Sequence, residues 1–295
     1  MIVLEVIFLA VFWTWVLSAL LFLCNTFLPR LPVTVTPEQF ELPSDTVHFQ
    51  ATDGMPLEGW KIPTDLSRPW IILCHGVGSN RSNMLEIAAK LHDARFNLLL
   101  FDFRGHGGSR GRVTSFGSIE QRDLEGALVF LGEQTDVPAK PYGVYGISMG
   151  ASVALTVAAK DERLGAVAAD SPYVTLEESL GRHLALLYPV LPRMPILWCI
   201  LATYRLRFGV WPRRMSPLAA AAMLSPRPLL LLQGGDDIRM PLEETKRLYA
   251  AAGQPKDLCV VEGAAHLQSY ALDPQTYMLH VVRFFEASLV DARRV

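Results

Sequence analysis

The stretch Gly146-Ile147-Ser148-Met149-Gly150 restricts this chain more than any other, because of what flanks it. Before it runs Gly143-Val144-Tyr145, short and apolar; after it runs Ala151 to Ala159, alanine-rich and predicted as a buried helix. A strand that turns into a helix across five residues leaves no room for side chains beside the serine, which explains the glycines. Such a turn lifts the serine Oγ above the carboxyl end of the strand. The helix behind it aims backbone N–H groups and its positive dipole end at the same point. Taken alone, the pattern also fits a glycine-flanked helix start capped by a serine. The rest of the chain separates the two.

Continuous apolar runs recur at Trp70–Cys74, Asn97–Phe101, Tyr142–Tyr145, Ala166–Ala169, Leu229–Leu232 and Leu258–Val261. Each has the character of a strand buried on both faces. Helical patterns fall between them, at about 82–92, 119–131 and 242–251, with a last one at about 275–289. This alternation predicts an α/β fold, a mostly parallel central sheet with helices on both faces. Thr46–Gln50 and Leu57–Ile62, joined around Asp53-Gly54, predict an antiparallel hairpin at one edge. The whole unit is expected over residues 44–295, and a chain of 295 residues, 51% hydrophobic, suffices for one large core. Residues 173–222 break the alternation and are expected to form an inserted cap. From Ser179 to Pro228 there is no Asp or Glu, whereas Arg182, Arg193, Arg205, Arg207, Arg213, Arg214 and Arg227 sit among Leu, Trp, Tyr and Phe.

Net charge is −2, and no basic run, zinc-ligand spacing or phosphate-cradling loop occurs. Nothing therefore points to nucleic acid, a metal or an organic cofactor. Cys24, Cys74, Cys199 and Cys259 are unclustered in apolar surroundings and are expected as buried thiols.

Residues 1–28 are almost continuously apolar, long enough for the roughly 20 residues that a bilayer-spanning helix needs. The rival is a cleavable signal peptide, but no Lys or Arg precedes the apolar run and no small-residue cleavage site follows. The expectation is an uncleaved, single-pass transmembrane anchor, followed by an extended linker at 29–43 with four prolines. Removing residues 1–30 is expected to give a soluble domain. Arg30, the one nearby basic residue, points weakly to a cytoplasmic catalytic domain. Orientation and oligomeric state stay open.

Four loops at carboxyl ends of predicted strands carry reactive or anion-binding groups, where α/β sheets place their sites. They are His75-Gly76-Val77-Gly78-Ser79-Asn80, the Ser148 turn, Gln233-Gly234-Gly235-Asp236-Asp237 and Glu262-Gly263-Ala264-Ala265-His266. In chain order these supply Ser, Asp and His. With Asp102-Phe103-Arg104-Gly105-His106-Gly107-Gly108-Ser109, Asp237 four residues before Pro241, and Gly263 ahead of His266, the chain resembles the α/β-hydrolase superfamily. More narrowly, it resembles the membrane-anchored serine hydrolases of the ABHD type, over about residues 44–290. Gln233, where a His is common, and Arg239, where a small apolar residue is common, depart from that pattern without changing the triad.

The resemblance implies that Ser148 attacks an acyl carbonyl, His266 relays its proton and Asp237 orients the imidazole, while the N–H groups of Val77 and Met149 bind the oxyanion, without cofactor. Asp236 and Asp170 are the other candidates for the acid. The His106 loop is expected to be structural, held by Asp102 and Arg104, and His75 to shape the oxyanion loop. His48, His92, His183 and His280 have no assignable partner. Ser148 disfavours the aspartate-nucleophile reactions of this fold. Esterase, thioesterase, peptidase and acyltransferase chemistry share the remaining logic. An anchor and a basic, apolar cap favour a small-molecule, lipid-like acyl substrate at a membrane. A catalytically silent, membrane-anchored binding module is the other class.

Overall fold

The computed structural model describes residues 2–27, 29–134, 137 and 141–290. Met1 and Leu28, the ends of the expected anchor, and residues 291–295 of the expected domain lie outside these. Strands Asp45–Gln50 (β1), Pro56–Ile62 (β2), Trp70–Cys74 (β3), Asn97–Phe101 (β4), Tyr142–Ile147 (β5), Leu164–Asp170 (β6), Leu229–Gly234 (β7) and Lys256–Val261 (β8) form one sheet. Its order is β1-β2-β4-β3-β5-β6-β7-β8. The hairpin pairs antiparallel at one edge and β2 pairs antiparallel with β4; the remaining pairs are parallel.

Every residue of β3 and β4 is buried, as a strand covered on both faces requires. Alternate residues feed opposite faces. Ile72, Leu99, Val144 and Leu231 join one apolar cluster, and Ile71, Leu98, Tyr145 and Leu230 the other. Against these faces lie helices that include Leu85–Asp93 (α2), Gln121–Glu133 (α3) and Met149–Ala158 (α4), together with two later ones described below. The helix α4 is buried along its whole length, so its small residues suit its position against β5 and β6.

Helix Ile2–Thr26 (α1) carries the first apolar run. Over Leu4–Thr26 it is long and apolar enough to cross a membrane, a property that an anchor and a signal sequence share. It is not a free tether. Ser18, Phe22 and Thr26, four residues apart on one stripe, are buried. The Phe22 ring lies 5.7 Å from Tyr204 and 6.1 Å from Phe208.

The expected extended linker also differs. The Arg30 guanidinium donates to the carbonyls of Gly107 and Gly111, and the Asn80 amide donates to those of Leu31 and Pro32. Pro37–Phe40 forms a 3₁₀ turn, Leu42 is buried, and Val33, Val35 and Phe40 cover an apolar cluster. The segment lies on the domain because its apolar side chains bury and its carbonyls find donors.

The expected cap divides. Leu176–Leu187 (α5) and Arg193–Phe208 (α6) pack on each other and, through α6, on α1. Pro217–Met223 (α7) instead packs on α4 and on Leu242–Ala251 (α8), and so belongs to the body. A single-turn helix Ser269–Leu272 (α9) precedes the last long helix, Pro274–Phe285 (α10). Of the four cysteines, Cys74 and Cys259 are buried, but Cys24 is exposed on α1 and Cys199 is half-buried.

Candidate active site

Ser148 sits between β5 and α4 at φ 52°, ψ −115°, a conformation most residues avoid. Two close approaches hold it there. A Cβ on Gly150 would lie 2.1 Å from the Cys74 carbonyl oxygen, and one on Gly146 would lie 2.5 Å from the backbone of Gly150. The Ser148 N–H donates to the Asp170 carbonyl at 2.8 Å, tying the turn to β6.

Three loops from separate strand ends meet at this serine. His266 Nε2 is 3.1 Å from Ser148 Oγ, and His266 Nδ1 is 2.7 Å from Asp237 Oδ2. The second bond puts a proton on Nδ1, which leaves Nε2 to accept from the serine hydroxyl. Asp237 is fixed in turn: its Oδ1 accepts the N–H groups of Arg239 at 2.8 Å and Met240 at 2.9 Å. Burial alone would raise its pKa, but the bond to His266 and these backbone donors outweigh it and hold the carboxyl below its ordinary value.

The other two carboxylates are elsewhere. Asp236 is exposed on the same loop. Asp170 is buried beneath the turn, where its oxygens accept from Ser171 Oγ at 2.7 Å and Tyr277 OH at 2.6 Å. Burial raises its pKa.

Val77 and Met149 line the same cavity, and the backbone N–H of neither donates to a protein acceptor among the described hydrogen bonds. Two histidines shape the loop that presents Val77. His75 Nδ1–H donates to the Gly76 carbonyl at 2.7 Å while its Nε2 accepts the Phe103 N–H at 3.0 Å; burial pushes its pKa well below the usual value. His106 Nδ1–H donates to the Arg104 carbonyl at 2.9 Å and its Nε2 accepts the Gly78 N–H at 3.1 Å. Neither is free for proton transfer. Asp102 accepts from the backbone of Arg81 and Gly108, each at 2.7 Å, and from the Arg81 guanidinium, while Arg104 forks between Asp53 and Asp123.

Two contacts were missed in the sequence. Gln233, where the family pattern commonly has His, reaches the acid: its amide nitrogen is 3.3 Å from Asp237 Oδ2 and 2.8 Å from the Met240 carbonyl, and its oxygen accepts from Thr245 at 2.6 Å. His183, left without a partner, lies on α5 with Nδ1–H donating to the Ser179 carbonyl at 2.9 Å, and it lines the cavity; burial lowers its pKa. The signal for Gln233 was its place four residues before Asp237; for His183 the sequence held none.

Above Ser148 lies a cavity of about 210 Å³. Leucines of α5, Phe116 and Tyr173 make most of it apolar, and Arg239 is the one formally charged side chain among the described residues that line it. Leu21, Phe22 and Asn25 of α1 also line it.

The family model described as "Serine aminopeptidase, S33" matches residues 66–208. An uncharacterized protein of Bacillus subtilis strain 168, YqkD, is 33% identical over 235 residues, which cover 79% of this chain and 76% of the relative. An uncharacterized protein of Mycobacterium tuberculosis is 32% identical over 248 residues, 83% of this chain and 80% of its own. Among solved structures, the esterase Pf2001 of Pyrococcus furiosus superposes with a TM-score of 0.73 at 25% identity, over 89% of this chain and 99% of the esterase.

Proposed function

The chain belongs to the α/β-hydrolase superfamily of serine hydrolases, and we propose that it cleaves carboxylic esters or thioesters through an acyl-enzyme on Ser148. The observation that carries this is the continuous chain of bonds Ser148–His266–Asp237 opening into an apolar cavity. In the first half-reaction Ser148 Oγ bonds to the acyl carbon while its proton passes to His266 Nε2. That proton then leaves with the alcohol or thiol as the C–O or C–S bond breaks. In the second, His266 takes a proton from water, the water oxygen bonds to the acyl carbon, and the acid departs as Oγ recovers its proton. Asp237 keeps the imidazole in the tautomer that accepts at Nε2 and stabilises its charged form. The N–H groups of Val77 and Met149 receive the developing oxyanion, and losing one such donor costs on the order of 100-fold in rate.

A peptidase reading has the family description in its favour. An aminopeptidase needs a carboxylate to hold the substrate's ammonium group, and no Asp or Glu is among the described residues lining the cavity. An apolar lining suits an acyl chain better. We read α1 as an uncleaved anchor, since its second half is built into the fold. The exposed arginines Arg205, Arg207, Arg213 and Arg214 form a face suited to anionic headgroups.

The test is hydrolysis of an ester series of increasing acyl length by the wild type and by Ser148→Ala. A rate that rises with chain length and vanishes in the variant is expected. Equal rates for the two proteins would remove the nucleophile, and a serine-reactive phosphonate that fails to label Ser148 would favour a silent binding module. Charge reversal of the four arginines is expected to weaken binding to anionic liposomes; unchanged binding would leave the basic face without a role.

A further inference from the structure

The chemistry proposed above makes no use of α1, yet Leu21, Phe22 and Asn25 of that helix line the cavity that holds Ser148 and His266. Leu180, Leu184 and Leu187 of α5 line the same cavity. The position of α1 is determined at several points. Phe22 is buried against Tyr204 and Phe208 of α6. The Thr26 carbonyl accepts the Thr114 N–H at 3.1 Å. Just past the helix, Arg30 is bonded to the carbonyls of Gly107 and Gly111. A helix held this way has a set register against the cavity, which a flexible tether would not have.

The other half of α1 has the opposite character. Leu4, Phe8, Val11 and Trp13 are all exposed. From Leu4 to Leu17 the helix is about 21 Å long at 1.5 Å per residue, short of a hydrocarbon core of about 30 Å. With Ser18, Phe22 and Thr26 packed on the protein, the exposed half reaches into the hydrocarbon only when the cap lies at the bilayer surface. The cap suits that place. Trp198, Leu206 and Val190 are exposed there, beside the exposed Arg193, Arg205 and Arg207.

We propose that α1 is part of the substrate site: Leu21, Phe22 and Asn25, with the leucines of α5, form the acyl-chain wall for a membrane-resident ester, so that the anchoring helix also sets acyl-length selectivity. The proposal rests on the Ser148 ester-hydrolase reading. It assigns the substrate as an amphiphile whose acyl chain lies between α1 and α5 with its carbonyl at Ser148.

The experiment uses the full chain in phosphatidylcholine nanodiscs, with p-nitrophenyl acetate and p-nitrophenyl decanoate as probes. The readout is the ratio of kcat/KM for decanoate to that for acetate. Leu21→Trp, which fills the cavity from α1, is expected to lower this ratio about 10-fold, the effect of roughly two methylenes losing their burial. Leu21→Ala, which enlarges the cavity, is expected to shift this ratio in the opposite direction, toward decanoate. Leu9→Trp, on the bilayer-facing half, is the control and is expected to leave the ratio within about 2-fold. If both Leu21 variants keep the wild-type ratio while a phosphonate still labels Ser148, α1 is not the acyl wall and the hydrolase reading stands. If Leu9→Trp shifts the ratio as far as Leu21→Trp, the effect comes through insertion and the proposal falls. If the wild type shows no Ser148-dependent turnover, the hydrolase reading fails and takes the proposal with it.

Discussion

Replacing Asp237 with Asn tests the relay at the atom where the structure is most specific. Oδ1 accepts two backbone N–H groups, from Arg239 and Met240, so the oxygen of an asparagine must occupy that place. Its NH₂ then takes the place of Oδ2, facing His266 Nδ1 at 2.7 Å and the Gln233 amide nitrogen at 3.3 Å. Gln233 cannot turn over without losing its bonds to Thr245 and to the Met240 carbonyl. Nδ1 of His266 must therefore accept, the proton moves to Nε2, and Nε2 can no longer take one from Ser148. The expected loss in kcat is about 10³ to 10⁴-fold, or roughly 4–5.5 kcal/mol in the barrier. A donor facing a donor in a buried site also costs on the order of 1–3 kcal/mol of stability. The assay is the pre-steady-state burst and steady-state turnover of a p-nitrophenyl ester, with circular dichroism to establish folding. A folded Asp237→Asn protein within 10-fold of wild type, with Asp236→Asn the damaging change, would refute the reasoning and move the acid one residue.

Further outcomes follow from the same geometry. Phe22→Ala is expected to destabilise the full chain in detergent by about 3 kcal/mol, a fall in Tm of roughly 5–10 °C; an unchanged Tm would show that α1 packs too loosely to support the fold. Gly150→Ala puts a methyl 2.1 Å from the Cys74 carbonyl, so α4 must move away from β3. An overpacking cost of about 1–3 kcal/mol is expected, with turnover lost further than stability because the Met149 donor moves as well. Thermal unfolding beside phosphonate labelling reads both. The Asp53 carboxyl lies well below its ordinary value because Arg104 bonds to it, although burial opposes this. A depressed carboxylate contributes stability above its unfolded pKa of about 3.9 and loses it as the pH falls toward the folded value. The stability gap between wild type and Asp53→Asn is therefore expected to be widest near neutrality and to narrow below about pH 4, as urea unfolding at several pH values will show.

Much of the site was legible because local sterics wrote it into the chain. The glycines at 146 and 150 stand where backbone meets backbone within van der Waals distance, and no other residue type fits. The Asp237 and His266 loops each follow an apolar run that reads as a strand; β7 is buried as expected, whereas β8 closes the edge of the sheet with only Cys259 buried, and both strand ends still open above the same sheet. What resisted reading lies in segments without a pattern. Thr14, Ser18, Phe22 and Thr26 fall four residues apart on one stripe of a helix that is otherwise almost wholly apolar, but such spacing does not say whether the stripe meets this protein's own body or another surface. The prolines of residues 29–43 resemble those of a spacer, whereas the burial of Leu42 and the bonds to Asn80, Gly107 and Gly111, all distant in the chain, fasten that stretch to the domain. Residues 173–222 looked like one insertion because α7 is as apolar as the cap; its partners, α4 and α8, come from distant parts of the chain.

The sequence alone therefore determined the strand–helix alternation, the Ser148 turn and the order of Ser, Asp and His, since these depend on neighbours within a few residues or on burial of whole strands. The tertiary structure decided which carboxylate reaches His266, that Gln233 braces it, and that α1 lines the cavity. Those outcomes depend on distances between residues far apart in the chain, and such distances exist only once the two apolar faces of the sheet have been covered.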